Sequence, residues 1–411
     1  MNTSSSSAPS ASSKSKAMIC SWKAVEGVTR WLPSLRKASI IAIVAGLAAC
    51  TSVPLPPASY PGGVQAPAGV RPGDAGLLPP PRLQGKSRWV AVPWVELPGF
   101  EEDSLFEAWN AWIKSCERPG PVFAPLCGEI RRLSIATPQE QRAWMVARLQ
   151  PYRIESLQGV SEGLLTSYYE PVLKASRQSG GGYDIPLYRA PATLGSRKPW
   201  FSRQEIDTLP EARAALTGRE IAWVNDPIDA LMLHIQGSGR LSISEPNGAQ
   251  RIVRVAFAGS NEQPYRSVNQ WLLSQGVTKI NPWPDATKAW VLQNPQRVQQ
   301  LLWSNPRYIF FREEALSDFD AAFGPKGAQG VPLTPGRSIA VDPGSIPYGT
   351  PVWLASRGGA ASLQKLVLAQ DTGSAIVGAV RADYFAGTGI EAGLMAARLN
   401  QPLRLWALWP K

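Results

Sequence analysis

Apolar positions recur along this chain in three textures, and each texture predicts a different element. Leu366, Val367, Leu368 and Ala369 are four consecutive apolar residues between polar and glycine positions, which predicts a short strand covered on both faces. Leu105, Trp109, Trp112, Ile113 and Cys116 recur at helical spacing, so a helix with one core-facing side is expected there, its tryptophans in the core. Thr137, Pro138 and Glu140 make a capping box with proline at the first helical position. A second helix should therefore start there and carry Trp144, Met145 and Leu149. From Gly163 the texture changes to short strands between glycines and prolines, as in YDIPLYR, LMLHIQGSGRLSI and RIVRVAFAG, which places His234 in a strand. Residues 267–275 and 285–303 return to helical spacing, and Pro295 divides the second stretch.

The ends of this pattern carry a different message. Residues 1–37 hold six basic side chains against one acid, Glu26, and the apolar run that follows, residues 38–49, is too short to span a bilayer as a mature helix. Small residues then precede a cysteine in LAAC. The combination resembles a lipoprotein signal over residues 1–49 with Cys50 as the lipidated first residue; an ordinary export signal is the alternative, and Met18 is an alternative start. Residues 50–84 are rich in proline, glycine and alanine and read as an extended tether. The remaining chain of a 411-residue protein, with 44% hydrophobic residues, suits two domains.

Removing residues 1–49 would lower the net charge from +11 to +6, a scattered excess that suits a polyanionic wall polymer or an anionic lipid surface and contains no arginine cluster of the nucleic-acid kind. In an exported chain without a CxxC pair, Cys116 and Cys127 point to a disulfide rather than a metal site. No metal or cofactor is expected: His234 is the only histidine, and the GSG at residues 237–239 lacks the lysine and spacing of a phosphate loop.

Candidate chemistry lies at strand ends. Asp371 closes the apolar run and meets a turn of Thr372, Gly373 and Ser374, while Asp342 follows the apolar pair before PGSIPYGT and Asp383 precedes Tyr384. Each aspartate alone also fits a turn residue bonding its own backbone. Thr166, Tyr168, Tyr169, Gln236, Ser238, Tyr265, Arg266, Tyr348 and Tyr384 sit at expected strand ends and loops, where hydroxyls, amides and rings can bond sugar hydroxyls and stack on sugar faces.

Several motifs in series, GLLTSYYEP, YDIPLYR, IQGSGRL, FAGSNEQPYRSV, NPRYIFFRE, VPLTPGRSIAVDPGSIPYGT, LAQDTGSAI and RADYFAGTGIEAG, resemble the membrane-bound lytic murein transglycosylase A (MltA) family with its C-terminal 3D domain, over residues 85–411. That resemblance implies a mainly β fold with some α. A double-psi β-barrel would be built from residues 85–170 and 307–411, with the 3D region at 332–411. A smaller β-rich domain, residues 171–306, would be inserted, with a groove between the two. It implies cleavage of the bond between N-acetylmuramic acid and N-acetylglucosamine, with Asp371 acting first as acid and then as base to give a 1,6-anhydro product. Thr166, Tyr168, Tyr169, Gln236, Ser238 and Gly373 would bind the glycan strand. Asp342 and Asp383 would tune or brace the site, Asp383 as part of a turn. For this chemistry the Asp371 carboxyl must titrate above the free value of ~3.9. A two-carboxylate glycoside hydrolase and a non-catalytic peptidoglycan-binding lipoprotein remain alternatives. The expected setting is the cell envelope, as an outer-membrane lipoprotein facing the periplasm, with peptidoglycan and the lipid surface as partners.

Overall fold

The computed structural model describes Asp74, residues 76–278 and residues 283–411. The expected signal, Cys50 and most of the expected tether lie outside the described residues. Among the described residues no helix is long and apolar enough to cross a membrane.

The chain first lays down β1 (Arg82–Gln84), β2 (Ser87–Ala91), β3 (Leu149–Ser156) and β4 (Gly163–Glu170). It then leaves for a second sheet made of β5 (Val172–Ser176), β6 (Ile185–Tyr188), β7 (Glu220–Val224), β8 (Gly239–Ser244), β9 (Gln250–Ser260) and β10 (Ile309–Ala315), and returns to the first with β11 (Ser338–Val341), β12 (Pro351–Arg357), β13 (Ser362–Asp371), β14 (Arg381–Thr388) and β15 (Asn400–Pro410). The first sheet runs in the order β1-β2-β3-β15-β12-β13-β11-β14-β4. The N-terminal half of β15 also pairs with β4, so six of these strands close on themselves as a barrel. The second sheet runs β10-β9-β8-β5-β7-β6. It takes in residues 309–315, which the sequence reading assigned to the barrel; the FF pair there packs into the second sheet's own cores, Phe311 beside Leu241 and Phe310 beside Trp200.

The apolar run that suggested a doubly covered strand is the middle of β13. Val367 and Ala369 point into the barrel core with Ile339 and Val352, while Leu366 and Leu368 meet the other core, where Trp109 and Trp112 of the helix Phe106–Ser115 lie. A strand sandwiched between a barrel interior and a helix needs apolar residues on both faces, which is why alternation disappears. The capping box is also present: Thr137 Oγ1 accepts from Glu140 N, and the Glu140 carboxylate accepts from Thr137 N at 2.8 Å. A disulfide joins Cys116 and Cys127.

Two local expectations are corrected. His234 lies not in a strand but in the helix Pro227–Gln236, which Asp226 caps by accepting from Ile228 N at 2.7 Å, and which ends at Gly237 with φ 82°. This helix is buried nearly all round, so its apolar residues show no helical stripe, and a short apolar run cannot distinguish period 2 from period 3.6. The second correction concerns RADYF, which is the start of β14 rather than a turn.

Where β4 hands over to β5, the carboxylate of Glu170 is fully buried. Arg240 Nε donates to it at 2.7 Å and Arg254 Nε at 2.6 Å, and both guanidinium groups also donate to Phe323 O, at 3.0 and 2.7 Å. These bonds pin the second sheet to the barrel side of the molecule. A charge buried this deeply is stable only because it is paired and hydrogen-bonded.

Candidate active site

Strand register brings two of the three aspartates together. Ala340 of β11 pairs with Asp371 on one side and with Asp383 on the other, so the two carboxylates share one row of the barrel, two strand spacings or about 10 Å apart in backbone terms. Thr166 is next in that row, opposite Asp383 on β4.

Asp371 sits half-buried at the end of β13. Tyr168 Oη donates to its Oδ2 at 2.8 Å, and the backbone N–H of Ala328 donates to Oδ1 at 3.0 Å. The loop holding Ala328 can approach this closely because its neighbour is glycine: a Cβ on Gly327 would stand 2.5 Å from Gln370 O. Beneath Asp371, Gln370 is buried and donates to Ala111 O and Ser115 Oγ, both at 2.8 Å, which ties the end of β13 to the helix Phe106–Ser115. Burial pushes the Asp371 carboxyl above the ordinary value of 3.8; the donors Tyr168, Thr372 N and Ala328 N pull the other way and do not cancel it. Burial, with the Asp371 carboxylate beside it, raises the Tyr168 phenol well above 10.0, so Tyr168 remains a donor.

The other two aspartates behave differently from each other. Asp383 accepts from Thr166 Oγ1, which is itself held by Arg381 Nη2 at 2.8 Å. Burial raises its carboxyl, and the charge of Asp371 adds to the effect. Asp342 braces loops: it accepts from Gly344 N at 2.9 Å, Gly378 N at 3.0 Å and Lys86 Nζ at 3.1 Å. Burial pushes this carboxyl up, but the two N–H groups and the lysine outweigh it, and it titrates below 3.8.

A cavity of about 540 Å³ opens beside Asp371, between the barrel and the second sheet. On the barrel side its wall is formed by Tyr168, residues 371–374 and the loop 325–328; on the other side it is formed by the C-terminal end of the helix that carries His234 and Gln236, by Ser238, Phe257 and Tyr265, and by Arg307 ahead of β10. Of the residues expected to bind glycan, Tyr168, Gln236, Ser238 and Gly373 line this cavity. Thr166 and Tyr169 do not. Thr166 holds Asp383, while Tyr169 donates its N–H to Gln236 Oε1 at 3.0 Å and its hydroxyl to Met232 Sδ.

Sequence reasoning missed Ala328, His234 and Arg307 as wall residues. Ala328 acts through an N–H that every residue but proline carries, so nothing in its identity could have marked it. Arg307 stood inside a quoted motif, NPRYIFFRE, but only the fold turns it towards the cavity.

A family model described as the MltA specific insert domain matches residues 164–312, and one described as the 3D domain matches residues 337–409. Membrane-bound lytic murein transglycosylase A of Vibrio cholerae serotype O1 is 30% identical over 257 residues, 60% of this chain but only 65% of that protein, just under two thirds of its length. The protein of the same name from Escherichia coli K12 is 31% identical over 270 residues, 63% of this chain and 69% of its own. Among solved structures, the lytic transglycosylase LtgG of Burkholderia pseudomallei is 40% identical, with a TM-score of 0.55 over 81% of this chain and 98% of that one. Both halves of the fold match, in the same order and at these identities, and the chain belongs to the membrane-bound lytic murein transglycosylase A family.

Proposed function

We propose that this protein is a lytic transglycosylase that cleaves peptidoglycan glycan strands in the cell envelope, with Asp371 as its single acid and base. The observation that carries this reading is the charge inventory of the groove: among the described residues lining it, Asp371 is the one carboxylate, and burial keeps its proton on to higher pH than a free aspartate would allow. A protonated carboxyl can give its proton to the glycosidic oxygen. The carboxylate left behind can then take the proton from the C6 hydroxyl of N-acetylmuramic acid as that oxygen closes on C1, so no water nucleophile and no second carboxylate are needed. Tyr168 and the Ala328 N–H stabilise the carboxylate between the two steps. A two-carboxylate hydrolase would place its second acid on the same wall. Asp383 is not on that wall, and its oxygen is occupied by Thr166.

Gln236, Ser238 and Gly373 would hold the strand, and lipidation at Cys50 would anchor the enzyme to the outer membrane facing the periplasm. The test is the mass of the products released from purified sacculi. Products carrying 1,6-anhydro ends, lighter by one water than the hydrolytic ones, are expected; reducing ends alone would replace this reading with the hydrolase.

A further inference from the structure

The half-buried cation of the groove wall has no counterion among the described residues. Arg307 is half-buried and lines the cavity, yet no carboxylate among the described residues lies within ion-pair distance of it; its one side-chain bond is from Nη1 to Gln263 O at 3.2 Å. Several arginines in this fold have carboxylate partners, whereas the buried Arg203 is satisfied by backbone carbonyls. Arg337 donates to Asp103 through both Nη atoms at 2.7 Å, Arg240 and Arg254 share Glu170, and Arg312, exposed on the same cavity wall, donates to Glu314 at 2.9 Å. Burial alone lowers the Arg307 pKa, as expected of a guanidinium partly stripped of water with nothing given in return.

The same cavity is lined by a neutral donor of fixed orientation. His234 Nδ1 accepts from Ile309 N at 3.2 Å and faces Arg203 Nη2 at 3.3 Å, so its lone pair is in use and the ring proton must sit on Nε2. Tyr308 and Phe311 pack edge-on against the ring at 4.2 and 5.4 Å and fix its plane. The ring is 5% exposed, lines the cavity, and Nε2–H has no hydrogen-bond partner among the described residues. Burial and the neighbouring Arg203 charge keep the imidazole neutral well below pH 6.5. Arg203 itself is used up: it donates to Asn305 O and Arg307 O and stacks on Tyr308 at 4.9 Å.

We propose that Arg307 and His234 form a carboxylate subsite in the groove, which holds an acidic group carried by the glycan strand: the lactyl carboxylate of N-acetylmuramic acid or a carboxylate of its stem peptide. The inference rests on the glycan reading of the groove. A guanidinium without an anion and an N–H without an acceptor, in one cavity, are both completed by a carboxylate, through charge-assisted bonds. A neutral sugar hydroxyl would satisfy only the imidazole. Arg118 and Lys326, exposed at the same cavity, carry the same sign and would steer an anionic strand inward.

The test is equilibrium binding on an Asp371→Asn background, so that strands are not consumed, with three length-matched soluble ligands. These are a neutral N-acetylglucosamine oligomer, strands stripped of peptide with a free lactyl carboxylate, and peptide-bearing strands. At least one acidic ligand should bind about tenfold tighter than the neutral one at low salt, and adding Arg307→Gln should bring that ratio to within about threefold. Whichever acidic ligand binds tighter names the source of the carboxylate. Adding His234→Asn instead keeps an acceptor for Ile309 N but has no Nε2–H, and should lower the ratio by a smaller factor. If Arg307→Gln does not fold, the salt dependence of the background protein decides: the preference must shrink as ionic strength rises. Equal affinity for all three ligands, or an equal loss for neutral and acidic ligands in Arg307→Gln, overturns the subsite. Failure of the wild-type protein to cut sacculi would instead overturn the enzymatic reading and leave the binding ratios standing.

Discussion

On the barrel side of the groove, Asp371 is an acid partly withdrawn from water with three hydrogen-bond donors around it, and burial still wins: its carboxyl titrates high. On the second-sheet side, Arg307 is half-buried and His234 buried, and burial pulls both in the opposite direction. At the junction of the two sheets, Glu170 is buried more completely than any of them and has two arginines to itself. The difference shows what burial does. Where partners are complete, a buried charge is structural; where they are left incomplete, the strain on the charged form is available for chemistry or for a ligand.

The strongest way to break this comparison is Asp371→Asn. The amide can neither give nor take the proton, so turnover should fall by roughly 10²- to 10⁴-fold or more while strands still bind. The same substitution should stabilise the fold. A carboxyl raised in the folded state is most stable protonated, so its ionisation costs stability as pH rises from the unfolded value of ~3.9 through the higher folded value. Asp371→Asn should therefore gain stability over wild type at neutral pH and lose that gain below the unfolded value. Urea unfolding at pH 3 and pH 7 measures it; an equal difference at both pH values would show that burial does not strain this acid. By the same sign, wild-type kcat/KM should decline as pH rises through the Asp371 pKa, because the general acid is then ionised.

Glu170→Gln tests the opposite case. Removing one member of a satisfied buried ion cluster should cost about 3 to 5 kcal/mol, and urea unfolding should show it at neutral pH. A loss under about 1 kcal/mol would mean that the junction does not depend on the cluster.

Reduction of Cys116–Cys127 comes next. The loop it closes follows Ser115 and contains Arg118, whose carbonyls accept from Gln329 at 3.3 and 3.2 Å, next to the Ala328 N–H that serves Asp371. Reductant should lower stability by about 2 to 4 kcal/mol, seen as a shift in the urea midpoint.

The smallest effect belongs to Asp342→Asn. The carboxyl is lowered in the folded state, so its contribution is present above ~3.9 and is lost as pH falls through the lower folded value. The variant should be less stable by about 1 to 2 kcal/mol at pH 7, approach wild type at the acidic end, and keep most of its turnover. A turnover loss as large as that of Asp371→Asn would move Asp342 into the chemistry.

Much of this was legible in the chain. The run from Leu366 to Ala369, the Thr137–Glu140 capping box and the tryptophan stripe of the first helix are local signals, and each corresponds to the element it implies. The helix of His234 was misread because an element buried on all sides shows no face. RADYF was misread as a turn because the glycines that follow it suggested a loop. In the fold Arg381 and Asp383 lie on a strand beside Thr166, which bonds both side chains.

Local periodicity, capping chemistry and the order of the motifs depend only on neighbours in the chain, and they were enough to mark the strand ending at Asp371. Which aspartate titrates high and which low depends on burial and on what comes within hydrogen-bond distance of each carboxylate: Tyr168 and Ala328 at one, Lys86, Gly344 and Gly378 at the other. Except for Gly344, these partners lie 36 or more residues away from the aspartate they serve, and three of the five bonds come from anonymous backbone N–H groups. Only closure of the barrel and its packing against the second sheet bring them together, and the balance between burial and those bonds is what separates three similar-looking aspartates.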